Sequence, residues 1–384
     1  PTPTPDPVGE ALAGMTVEQK AAQLLVAGIE GTEPGEDAVQ AVQGYQVGGV
    51  ILFGRNVESA EQLAALTNGL KELNGDYTPL FLCVDQEGGR VDRMPPEVSR
   101  TPSAWSVGQT LDTEGVGVSY GELLAAECAA FGFNMDFAPS LDIWSNPDNT
   151  VIGDRAFGND WEWTAFFGMS AVEGMEKQGT VIPVVKHFPG HGDTAVDSHT
   201  ALPVVDKTLE DLWQSELVPF DMVLSGQFWG EPVMEPTPAV MVAHILLSQI
   251  DPDNPASLSP EVVTGLLREE MGYEGVVCTD DLTMGAISNT YGMGEAAVLA
   301  VEAGCDLLLV CHGADNLAEA HAALVEAVDS GCIPEERLDE SVYRVLSLKT
   351  VYGLSNAPVE APDIEALNDR IAALERSIEA DTSQ

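Results

Sequence analysis

The chain is expected to fold as a single (β/α)8 TIM-type barrel, and three features of its sequence predict this. Eight short runs rich in β-branched or large apolar residues recur at intervals suited to strand–helix units. Amphipathic helical patterns lie between most of them, and polar residues gather where the runs end.

In chain order the runs are 23–28 (QLLVAG), 48–53 (GGVILF), 80–85 (LFLCVD), 134–138 (NMDFA), 181–187 (VIPVVKH), 239–244 (AVMVAH), 275–280 (GVVCTD) and 306–310 (DLLLV). Helical spacing of apolar residues predicts helices over 59–73, 115–131, 161–178, 209–224, 260–271 and 316–330. A last helix, 334–350, opens on Glu335-Glu336, the charge a helix N-terminus prefers. The long stretch between the third and fourth runs leaves room for loop insertions, and the Gly- and Pro-rich segment 225–238 predicts an enlarged loop before the sixth strand. Residues 1–9 read as a proline-rich linker, 10–355 as the barrel, and 356–384 as a linker with a short charged helical tail, too little chain for a second domain.

With 384 residues, 45% hydrophobic and 20% charged, the chain has ordinary globular composition and can bury a large core. Its charge is not ordinary: 62 acidic against 16 basic residues, a net −46. Such a surface repels nucleic acid and anionic membranes, which excludes both as expected partners. It also makes each cation conspicuous, and Arg90, Arg93, Arg155 and Lys186 all sit near Gly-rich loops. There is no apolar stretch of the roughly 18 residues that a membrane span needs. The opening Pro1-Thr2-Pro3-Thr4-Pro5-Asp6-Pro7 has the composition of an extended stalk. A stalk of this kind is expected behind a removed signal or lipid anchor, hence on an exported protein at the cell surface or outside the cell, with a cytoplasmic protein as the alternative. The six cysteines have no metal-site spacing; Cys83, Cys128, Cys278, Cys305 and Cys311 fall in apolar strands or a helix and read as core thiols.

The ends of the runs carry the chemistry. The third ends in Asp85, followed by Gln86-Glu87-Gly88-Gly89-Arg90; the fourth holds Asp136, with Asp142 close behind. The fifth ends in Lys186-His187, the sixth in His244, the seventh in Asp280-Asp281, and His312 follows the eighth. In a barrel these ends converge on one face, where polar residues bind or react rather than stabilise. Asp142 and Asp281 are the ones best explained as loop or helix caps.

Three chemistries could use such a rim. A metal-dependent hydrolase could recruit His187, His191, His199, Asp85 and Asp280, but neither HxH nor HExxH occurs, and Lys186 would oppose a cation. A non-catalytic amino-sugar binding protein could use the same Asp, Arg, Lys and His side chains on hydroxyls, leaving the Asp197-Ser198-His199 pair unexplained. Glycoside hydrolysis uses more of the residues. A retaining mechanism needs an ionised carboxylate as nucleophile and a proton donor for the leaving oxygen. Asp280 supplies the first from the end of an apolar strand; His199, with Asp197 to orient it and raise its pKa, supplies the second.

Residues 186–199 (KHFPGHGDTAVDSH), 84–93 (VDQEGGRVDR), 154–158 (DRAFG), 134–139 (NMDFAP) and 279–284 (TDDLTM) resemble, in order, the motifs of glycoside hydrolase family 3 β-N-acetylglucosaminidases, the NagZ-like group. The resemblance runs from about residue 10 to 355. It implies Asp280 as nucleophile of a covalent glycosyl-enzyme and His199 with Asp197 as the acid/base dyad on a loop. It further implies that Asp85, Arg93, Arg155, Lys186 and His187 hold a terminal β-linked GlcNAc, with His244 and Met284 lining the same pocket. Arg90 and His191 are expected to brace loops. The implied substrate is GlcNAc linked to muramic acid derivatives in peptidoglycan fragments, with no cofactor, no metal and a monomeric enzyme. The segment 225–238, with Trp229, is expected to reshape the side that receives the second sugar.

Overall fold

The strand–helix repeat closes on itself. A computed structural model of the chain describes residues 6–113, 115–194, 198 and 202–382. Its barrel strands are β1 (Leu25–Gly28), β2 (Gly49–Ile51), β3 (Phe81–Val84), β4 (Met135–Asp136), β5 (Ile182–Phe188), β6 (Ala239–Val242), β7 (Val276–Asp281) and β8 (Leu307–Val310). Each pairs in parallel with the next, and β8 pairs with β1, so the barrel has no free edge. The fourth strand is shorter than the expected 134–138. Pro139 has no N–H to give to the ladder, and beyond the strand the pairing with β5 continues only as an isolated parallel bridge, Ser140 to Lys186.

The helices that wrap the barrel are α1 (Val17–Gln23), α2 (Ala60–Asn74), α3 (Val116–Ala130), α4 (Trp161–Gln178), α5 (Leu217–Ser225), α6 (Met293–Ala303), α7 (Ala314–Asp329) and α8 (Glu335–Val351). Their ends are written in the sequence. Thr16 and Gln19 form a reciprocal capping box, and Ser59 and Asp160 accept from the backbone N–H three residues on. Gly179 closes α4 at φ 62°, a left-handed conformation that favours glycine.

Two expectations change. The helix expected over 209–224 is broken into Leu209–Leu212 and α5, because Pro219 fits only the first turn of a helix and cannot continue one. The enlarged loop 225–238 holds a small hairpin, Gln227–Phe228 against Glu231–Pro232. Its two-residue turn places Trp229 and Gly230 at φ 52° and 81°, the positive pair that a tight hairpin turn uses. The tail helix α9 (Ile364–Thr382) packs along α3, where Arg370 donates to the Glu122 carbonyl at 2.9 Å.

The barrel interior is filled rather than hollow. Val26, Ile51, Phe81, Met135, Val184, Met241 and Leu309 point inward and touch one another. At the end where the strands begin, α8 closes the barrel with Val345 and Leu348. Beside them the buried Lys349 amine donates to Gln23 Oε1 at 2.9 Å and the Gly48 carbonyl at 2.8 Å, 4.7 Å above the Phe81 ring centroid. That end is a plug, which leaves the chemistry to the other.

Burial drives Lys349 down from an ordinary 10.5 to about 7. Between those values the unfolded chain holds a proton that the folded chain does not, so this group adds stability as pH rises through the window. Lys349→Met abolishes the titration. Relative to wild type it is expected to be about 2–3 kcal/mol better off at pH 6 than at pH 9. The gap between the two urea midpoints measures this, and a gap independent of pH would contradict it.

Candidate active site

At the C-terminal ends of the strands lies a cavity of about 230 Å³, walled by the residues that follow β3, β5, β7 and β8. Its floor is a cluster of buried charge. Lys186, 1% exposed on β5, places its amine 2.6 Å from Asp85 Oδ1 and 2.5 Å from Glu87 Oε1. Arg155, from the loop after β4, clamps Glu87 with two parallel bonds of 2.8 Å. Burial alone would push Glu87 up, but Arg155 and Lys186 hold its carboxyl far below the usual range. Burial would likewise strip Lys186 of its proton, and Asp85 and Glu87 reverse that.

Local sequence explains how Glu87 gets there. Gly88 and Gly89 follow it at φ 70° and 54°. A Cβ on Gly88 would lie 2.4 Å from the Pro102 carbonyl oxygen, so only glycine makes this turn. Behind it, Gln86 donates to Glu127 Oε2 at 2.9 Å and accepts the Arg93 N–H at 2.8 Å, which fixes the loop that carries Arg93 into the cavity.

His187 forms the next wall. Its Nδ1 is 2.6 Å from Asp142 Oδ2 and its Nε2 is 3.2 Å from Arg155 Nη2. Asp142 also accepts the His191 N–H at 2.6 Å. Burial would raise this carboxyl, but His187 and the His191 amide hold it low. Asp142, expected as a cap, therefore orients a site histidine through a fully buried bond; nothing in its sequence neighbourhood signalled that. Asp281 keeps the capping role, accepting the N–H groups of Thr283 at 2.9 Å and Cys311 at 3.1 Å.

Asp280 is the penultimate residue of β7 and lines the same cavity. Burial works against its charge, yet the neighbouring His244 and His187, the Asp281 N–H at 2.7 Å and Lys186 together lower its pKa. The result is an ionised carboxylate at a rigid strand end, able to act as a nucleophile.

Asp85, Arg93, Arg155, Lys186, His187, Asp280 and Met284 are thus brought together around one cavity. His244 is not among its lining residues. It is fully buried, its Nε2 donating to the Asp281 carbonyl at 3.0 Å and its Nδ1 bonded to Ser257 Oγ at 2.6 Å. Burial lowers its pKa, and its two hydrogen bonds hold the Asp280 segment from behind instead of placing the ring in the pocket. Asp197 and His199 lie outside the described residues. Ser198 between them is described: its Oγ is 3.2 Å from His191 Nε2 and its carbonyl accepts the Ala286 N–H at 3.1 Å, at the cavity wall. Arg90 braces the loop of Arg155, donating to three carbonyls of residues 150–152 at 2.6 Å and pairing with Asp154 at 2.9 Å.

Glu87 is the functional residue that the sequence reading passed over. The available signal was charge balance, since Lys186 and Arg155 buried together need more than Asp85 to neutralise them. Among the described residues no group of three or more His, Cys, Asp or Glu side chains is arranged to hold a metal ion. All six cysteines are free thiols, five of them buried.

Known proteins match this arrangement. The family model described as the glycosyl hydrolase family 3 N terminal domain matches residues 16–348. A β-hexosaminidase of Alkalilimnicola ehrlichii is 38% identical over 293 residues, covering 75% of this chain and 80% of that protein. The β-hexosaminidase A of Pseudoalteromonas piscicida is 33% identical over 341 residues, covering 83% of this chain but 56% of the relative, so the chain spans little more than half of that protein's length. Among solved structures, a glycoside hydrolase family 3 β-N-acetylglucosaminidase from Paenibacillus sp. str. FPU-7 superposes with a TM-score of 0.87 at 41% identity, over 94% of this chain and 68% of that one. With the match spanning the whole barrel and the polar strand ends meeting in one cavity, the chain belongs to glycosyl hydrolase family 3 and is a glycosidase with β-hexosaminidases among its relatives.

Proposed function

We propose that the protein is a retaining exo-β-N-acetylglucosaminidase that releases terminal β-linked GlcNAc, its natural substrate being peptidoglycan fragments of the GlcNAc–MurNAc type. The observation that carries this is Asp280, kept ionised at the end of β7 and facing the same cavity as the Lys186–Asp85–Glu87–Arg155 cluster. Paired cations and carboxylates at fixed positions suit the hydroxyls of a sugar, which both donate and accept hydrogen bonds. A volume of about 230 Å³, below the roughly 300–1,000 Å³ of drug-sized pockets, suits one ring at a chain end.

In the first step an Asp280 oxygen attacks the anomeric carbon while the bond to the leaving oxygen breaks and takes a proton from the His199 imidazolium. In the second step His199 removes a proton from water, whose oxygen displaces Asp280 and restores the β configuration. Asp197, two residues from His199, orients the imidazole and favours its protonated form. The Paenibacillus relative's description as a β-N-acetylglucosaminidase supports the choice of sugar. The extended, proline-rich composition of residues 1–7 suits an exported enzyme.

Asp280→Ala is expected to cut release of p-nitrophenol from its β-GlcNAc glycoside by roughly a thousandfold or more with the circular dichroism spectrum unchanged. Turnover near the wild-type rate would refute the nucleophile. His199→Ala should slow glycosides with poor leaving groups far more than activated aryl ones, and equal losses on both would point to another proton donor. Glu87→Gln leaves Lys186 and Arg155 short of a buried negative charge. It should lower stability by about 3 kcal/mol and raise KM for the same aryl glycoside. An unchanged midpoint in urea would mean that the cluster does not depend on Glu87.

A further inference from the structure

His312 has a setting unlike that of the other described histidines. His187, His191, His244 and His321 each commit at least one ring nitrogen to a hydrogen bond. Among the described residues His312 has a partner for neither: the nearest acidic atom there, Asp281 Oδ2, is 3.9 Å away, beyond hydrogen-bond range. Yet the backbone around it is fixed on every side. The Cys311 N–H is held by Asp281 at 3.1 Å, the Cys311 carbonyl by Arg55 at 2.8 Å, and the His312 carbonyl by Asn316 at 2.8 Å. The imidazole lies nearly parallel to the Phe53 ring, with 20° between planes and centroids 5.9 Å apart, and both rings line the cavity. Arg55 sits 4.7 Å from the Phe53 centroid and fixes that ring in turn.

Depth separates this pair from the sugar-holding cluster. Lys186 and Glu87 are 1% and 3% exposed at the floor, whereas the His312 side chain is 54% exposed at the mouth. If one ring fills the cavity with its anomeric carbon at Asp280, whatever is joined to that carbon must lie at the mouth. Asp281, the next residue of the same strand, is the one that faces His312.

We propose that His312 and Phe53 form the leaving-group side of the site, where they receive the second sugar of a β-linked oligosaccharide. The Phe53 and His312 rings supply an apolar face for the pyranose C–H groups, and the uncommitted imidazole nitrogens hydrogen-bond its hydroxyls or ring substituents. His312 is then a specificity-determining residue for the second sugar. The proposal rests on the glycosidase reading given above.

The test compares His312→Ala with His312→Phe on two ligands, the disaccharide N,N′-diacetylchitobiose as substrate and free GlcNAc as competitive inhibitor. His312→Ala is expected to raise KM for the disaccharide roughly three- to tenfold, the value of one hydrogen bond with its stacking, while the GlcNAc inhibition constant stays within about twofold. His312→Phe, which keeps the stacking alone, should fall between wild type and His312→Ala. An unchanged KM would overturn the proposal, and so would a GlcNAc constant that rises in step with it. Wild-type enzyme that cleaves the p-nitrophenyl glycoside but not the disaccharide would overturn the subsite alone. Wild-type enzyme that cleaves neither would overturn the glycosidase reading beneath it.

Discussion

The contact on which the site depends is the buried meeting of Lys186, Glu87 and Arg155. A lysine amine and an arginine guanidinium cannot both stay charged inside a protein unless a carboxylate neutralises them there, and Glu87 reaches both. Because the three come from the loop after β3, the loop after β4 and strand β5, one charge cluster fixes the relative height of three barrel segments. The cavity's polar floor follows from that, as does the position of His187, which leans on Arg155 from one side and Asp142 from the other. In a chain with 62 acidic and 16 basic residues, setting Arg93, Arg155 and Lys186 against Asp85, Glu87, Asp280 and Asp281 around one cavity brings its lining close to charge balance.

Environment sorts the carboxyl groups near the site into two kinds. Burial pushes Asp136 well up, with the Gln86 N–H bond too little to reverse it, and drives Glu127 up to about 8 against the pull of Thr101 and Gln86. Both therefore favour the neutral acid and act as internal ties for the loop after β3. Asp280 and Glu87 go the other way because cations and donors surround them. Asp280 and Glu87 line the cavity while Asp136 and Glu127 do not, which separates carboxylates that could react with or bind a sugar from those that hold the frame.

Much of this was legible in the sequence because strands of a barrel are short apolar runs whose last residues share a face. That rule alone places Asp85, Lys186, His187 and Asp280 together, and it extends to Arg93, Arg155 and Met284 once their loops are anchored. It fails for His244, which ends its run as expected yet turns behind the wall, because run position fixes the face of the barrel but not the hydrogen-bond partners Ser257 and Asp281. It also says nothing of Asp142, whose role exists only through contacts with His187 and His191 45 and 49 residues away. The break before Pro219 and the Trp229-Gly230 turn were readable in principle, the first from proline's missing N–H and the second from the glycine. The Lys349 plug was not, since its partners Gln23 and Gly48 lie more than 300 residues away.

The central claim is that Asp280 bonds covalently to the sugar, and the most direct measurement traps that bond. Incubation with 5-fluoro-N-acetylglucosaminyl fluoride, which forms a slowly hydrolysed glycosyl-enzyme, followed by peptide mass mapping, should place the added mass on the peptide that contains Asp280. A label on Asp85 or Glu87, or an unlabelled enzyme that releases sugar of inverted anomeric configuration, would contradict it.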